Sequence, residues 1–152
     1  MIKAIKQFFD QHIAQEAATP ATVEHRLRIA TAAVLLETTR ADFDVTSKEV
    51  EAVTHAVQTV FELPREETET LIKLAEQEVK QATDYFQFTS LINKTLTADE
   101  KKTVIELMWR VAYADGQLDK YEDHLIRKIA GLLHISHSDF IAAKHRARTP
   151  SP

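Results

Sequence analysis

Six carboxylates in two short stretches are the residues whose type and spacing could do chemistry in this 152-residue chain. Asp42, Asp44 and Glu49 stand in the first, and Asp115, Asp119 and Glu122 in the second. The stretches overlay at an offset of 73 positions: Ala41 meets Ala114, Asp42 meets Asp115, Val45 meets Leu118 and Glu49 meets Glu122. The chain therefore reads as two related helix–acidic turn–helix units.

Most acidic residues have an ordinary explanation. Glu49, Glu100, Asp119, Glu122 and Asp139 fall where helix caps and first turns favour carboxylates, each contributing about 0.5–1 kcal/mol to a helix start. Glu66, Glu67 and Glu69 read as a solvated helix start for the same reason. Asp42 and Asp115 do not fit this pattern. Each falls in the last turn of an apolar helix or just past it, where unpaired carbonyls already carry partial negative charge.

Three arrangements would relieve that misfit. Asp115 before Gly116 can close its helix as an Asx-turn. Arg40 and Arg110 can neutralise the aspartates. Alternatively, a cation bridges Asp42 and Asp44, or Asp115, Asp119 and Glu122, with helix-end carbonyls as further ligands. Such an oxygen-only set suits Ca²⁺ or Mg²⁺ rather than zinc or copper. The spacing excludes an EF-hand loop. Counting from Asp42, Ser47 stands where the turn glycine belongs and Val53 where the bidentate glutamate belongs. A cation here must draw on both turns or bind weakly.

Other chemistries lack their residues. There is no cysteine, hence no disulfide, thiolate metal site or thiol nucleophile. No glycine-rich phosphate loop or GxSxG elbow occurs. The seven histidines are scattered, and His134 with His137 straddles a helix junction. A net charge of −4 gives no basic field for nucleic acid, and the basic end Lys144, His145, Arg146 and Arg148 lacks interleaved aromatics. A hydrolytic enzyme using the acidic cluster ranks last among the readings.

The elements that must position the carboxylates are helices. Two glycines and four prolines suit long helices and not a β-sandwich with many tight turns. No segment alternates long enough for a strand. Apolar residues at helical spacing predict helices over about 2–17, 20–39, 47–61, 65–79, 84–92, 98–112 and 120–133, with a short one after Ser136. Thr46 with Glu49 and Thr97 with Glu100 form capping boxes, while Ser136 and Asp139 cap the last helix. The breadth of the apolar surface on the second helix predicts a central, well-buried element. The fold class expected is all-α, a compact bundle of seven to eight helices in one domain over 1–146. The N-terminal helix within 1–18 packs on it, and 147–152 form a disordered tail.

The first helix, with Ile2, Ile5, Phe8, Phe9 and Ile13 on one stripe, packs on the body or alternatively serves a membrane surface or protein partner. No run approaches the roughly 20 apolar residues of a membrane span. The N-terminus lacks the features of a secretory signal, so a cytoplasmic location is expected.

The run from Trp109 to Glu122, with its Ala114-Asp115-Gly116 core, Leu118 and Glu122, resembles the tellurite-resistance TerB-like family. The resemblance extends over Val23 to Arg146, with Phe43 replacing the glycine in the first half. It implies an all-helical bacterial domain, found alone or fused to modules such as J-domain co-chaperones. The family is linked to tellurite and general stress responses, has no established enzymatic activity, and is proposed to bind divalent cations, calcium among them, through its acidic face. By position the acids are Asp42, Asp44, Glu49, Asp115, Asp119 and Glu122. The resulting expectation is a non-enzymatic, stress-associated module that binds a divalent cation or a basic partner through paired acidic turns. A metal-free interaction or membrane-surface scaffold is the alternative.

Overall fold

A computed structural model describes residues 3–13, 20–41, 47–81, 87–114 and 120–148. Among them are eight helices and no strands: α1 (Lys3–His12), α2 (Pro20–Ala41), α3 (Ser47–Phe61), α4 (Arg65–Gln81), α5 (Gln87–Thr95), α6 (Ala98–Ala114), α7 (Lys120–Leu132) and α8 (His137–Arg148). The all-α class is the one read from the glycine and proline scarcity.

Two helices form the centre. Every residue of α2 from Ile29 to Thr39 is buried, so this segment is enclosed on all sides. It packs against α3, α4, α5, α6 and α7, while α6 packs against α2, α3, α7 and α8. The inward face of α6 carries Val104, Ile105, Met108, Trp109, Val111 and Ala112, all buried. Trp109 lies 5.3 Å from the Phe140 ring and 5.9 Å from that of Tyr113, with the Lys144 ammonium 4.8 Å above it. It thus anchors α8 to α6 through ring packing and a cation–π contact.

Unpaired backbone groups at helix ends must find partners, and some find them locally. The Thr97–Glu100 capping box forms: Glu100 Oε1 accepts from Thr97 N–H at 2.9 Å, and Thr97 Oγ1 accepts from Glu100 N–H at 3.2 Å. Ser136 Oγ accepts from Asp139 N–H at the start of α8. At the end of α7, His134 takes φ 60°, donating to Gly131 O while Ile135 donates to Ala130 O. These two bonds make a Schellman motif with histidine where glycine is usual. The α3 end similarly uses Glu62 at φ 51°.

Other ends are satisfied from distant helices. Arg26 of α2 donates to the Ile13 carbonyl just past α1, and Arg28 to the Phe61 carbonyl closing α3. Asn93 of α5 donates to Leu132 O at the end of α7. The start of α5 is held by Glu37 of α2, whose Oε2 accepts from Phe88 N–H at 2.7 Å. Asp84, the start expected from sequence for that helix, lies outside the described residues.

Candidate functional site

Helix boundaries repeat at the offset found in the sequence. Helix α2 ends at Ala41 and α6 at Ala114; α3 begins at Ser47 and α7 at Lys120. Each pair of boundaries is 73 positions apart. The repeat therefore lies in the folding of the chain as well as in its letters.

The four helices bordering the acidic stretches meet at one place. Leu35 and Val53, with their counterparts Met108 and Ile126, line a single apolar hollow together with Ala56, Val111, Ala112 and Leu125. Each of the first four stands six residues from the end of its helix that borders an acidic stretch, roughly 9 Å along the axis at about 1.5 Å per residue. The hollow, about 20 Å³, has room for a single water and a lining that would not hold one. It is packing between the two hairpins, not a ligand site.

Of the six candidate ligands, Asp42, Asp44, Asp115 and Asp119 lie outside the described residues. Glu49 falls in the first turn of α3 and Glu122 in that of α7, with their side chains likewise outside. Arg110, one proposed neutraliser of Asp115, has an ion pair of its own: it lies 3.4 Å from Glu106, which also accepts from Arg146 at 2.8 Å. Among the described residues, no group of three or more histidines or carboxylates is arranged to hold a metal ion.

A family model described as tellurite resistance protein TerB matches residues 28–145. That is most of the chain, and it includes both acidic stretches. This chain belongs to the TerB family. The TerB match begins inside α2, so α1 and the first turns of α2 precede the matched region. No match was found among curated proteins or solved structures. No helix of this TerB-family chain, among its described residues, is long and apolar enough to cross a membrane. The apolar stripe of α1 is turned inward, with Ile5, Phe8, Phe9 and Ile13 all buried.

One polar cluster had no signature in the sequence. Glu67, read above as part of a solvated helix start, is instead held between two imidazoles. His12 Nδ1 lies 3.6 Å and His25 Nε2 3.3 Å from its carboxylate oxygens. Glu66 and Glu69 are exposed as expected. Positions 12, 25 and 67 share no spacing rule, since three separate helices bring them together.

Proposed function

We propose that this TerB-family domain is a non-enzymatic, cytoplasmic, stress-associated module that binds one divalent cation, Ca²⁺ or Mg²⁺, between its paired acidic turns. The observation that carries this reading is the shared hollow. Leu35, Val53, Met108 and Ile126, each six residues from a helix end that borders an acidic stretch, all line that one hollow. The donor set is all carboxylate oxygen, which fits a hard cation.

Asp42 follows the last residue of α2 and Asp115 the last residue of α6. At a helix C-terminus each carboxylate meets the negative end of the dipole, a penalty of about 0.3–1 kcal/mol. A bound cation removes that penalty at both turns at once. Membership in the TerB family supports a place in tellurite resistance or a related stress response. A basic protein surface is the other occupant that such carboxylates accept.

Calorimetric titration with Ca²⁺ and with Mg²⁺ tests the cation reading. Heat that saturates in the wild type and is lost in both Asp42→Asn and Asp115→Asn supports it. No heat at millimolar metal overturns it and leaves the basic partner.

A further inference from the structure

The cluster around Glu67 joins three helices. Glu67 lies in the first turn of α4, His12 in the last turn of α1, and His25 on α2. The Glu67 side chain is 19% exposed, and its Oε2 is closed to solvent and accepts no hydrogen bond. Both imidazole contacts, at 3.6 and 3.3 Å, exceed the usual N–H···O range of about 2.7–3.2 Å. The His12 ring packs against that of Phe8, with centroids 4.3 Å apart and the planes tilted by 33°.

The other charged groups nearby have partners elsewhere. On α1, Asp10 pairs with Lys6, and both are exposed. On α2, Glu24 pairs with Arg28, while Arg26 is engaged by the Ile13 carbonyl and Glu100. On α4, Arg65 pairs with Glu69, and Glu66 lines the cleft shared by His12 and Glu67 without adding positive charge. Among the described residues, the positive charge available to Glu67 is that of the two imidazoles.

We propose that His12, Glu67 and His25 form a proton-dependent clasp that fastens the N-terminal helix α1 to the TerB body. With both imidazoles neutral, a largely enclosed carboxylate has only two long contacts. A proton taken from solvent by His12 creates an N–H⁺···O⁻ pair between α1 and α4, which is shorter and stronger, while His25 flanks the same carboxylate from α2. Imidazole is the side chain that gains a proton under mildly acidic conditions, so acid closes the clasp and its withdrawal loosens it. The remaining hold on α1 involves no imidazole: the buried stripe, the edge-on contact of Phe8 with Phe88 at 6.1 Å, and the Arg26 bond to Ile13. Both histidines precede the TerB match and Glu67 lies within it, so the clasp joins the segment before the match to the matched region.

Amide hydrogen exchange at pH 5.5 and pH 7.5, with EDTA present and rates divided by intrinsic rates, tests this. Relative to α6, the α1 amides are expected to be about threefold to tenfold more protected at pH 5.5, the range for one or two partly exposed ion pairs. In Glu67→Gln and in His12→Gln the ratio should fall to near one. Equal α1 protection at the two pH values in the wild type, or a ratio that survives Glu67→Gln, would overturn the proposal. The wild-type comparison decides even if a variant fails to fold.

Discussion

Leu35 of α2 and Met108 of α6 occupy equivalent places in the two repeats and line the same apolar hollow. Both are buried, at 3% and 1% exposure. Each stands six residues from the helix end that borders an acidic stretch. Truncating Leu35 to alanine should cost about 2–5 kcal/mol, the usual range for a buried large-to-small change. Urea denaturation read by tryptophan fluorescence measures it. If the hollow also sets the spacing of the acidic turns, Leu35→Ala should weaken cation binding without touching a ligand.

Glu37 makes the second structural prediction. It is buried at 2% exposure and accepts three hydrogen bonds from α5: Phe88 N–H at 2.7 Å, Thr89 N–H at 3.1 Å and Thr89 Oγ1 at 2.9 Å. The first amides of α5 are thereby paired by a residue some fifty positions away. Glu37→Ala leaves them buried and unpaired, at about 1–3 kcal/mol for each such group. Glu37→Gln keeps an acceptor and should lose less. Chemical denaturation of both variants, with hydrogen exchange of α5, checks the order.

The pH dependence of Glu100 has a definite sign. Burial alone raises its pKa. The hydrogen bonds from Thr97 and the hydrogen bond and charge of Arg26, 2.7 Å away, outweigh burial and hold the carboxyl below its ordinary 4.5. A lowered folded pKa means that the contribution is fully present above the ordinary value and is lost as pH falls through the folded one. Glu100→Gln should therefore be less stable than wild type at pH 7, and the gap should close in stronger acid. Denaturation midpoints for the pair at pH 7, 4 and 3 measure this.

Two substitutions near the end of α7 should stabilise the fold. His134 holds φ 60° without being glycine, so His134→Gly should relieve about 1 kcal/mol of backbone strain. Gly131 is exposed within the helix, and a methyl group there would meet nothing within 4 Å. Gly131→Ala should add about 0.5–1 kcal/mol. Thermal melts of the single and double variants test both.

What could be read in advance followed the range of the interaction. The capping residues Thr97, Glu100, Ser136 and Asp139 act within three positions of one another, and the apolar faces of α2 and α6 are local periodicities, so both were legible. The hold of Glu37 on α5, of Asn93 on α7, and of the two histidines on Glu67 depends on which helices become neighbours, which residue spacing does not encode. The repeat was legible because duplication copies local pattern twice. Its consequence, that Leu35 and Met108 converge, appears only once the hairpins pack.

Sharing of one cation by the two acidic stretches can be followed by titrating ¹⁵N-labelled protein with Ca²⁺ and recording the amide shifts of residues 42–49 and 115–122. Both stretches should shift along one binding curve with one dissociation constant, and Asp42→Asn should abolish the response in 115–122 as well as in 42–49. Shifts confined to one stretch, two independent curves, or no shifts at millimolar Ca²⁺ would contradict it.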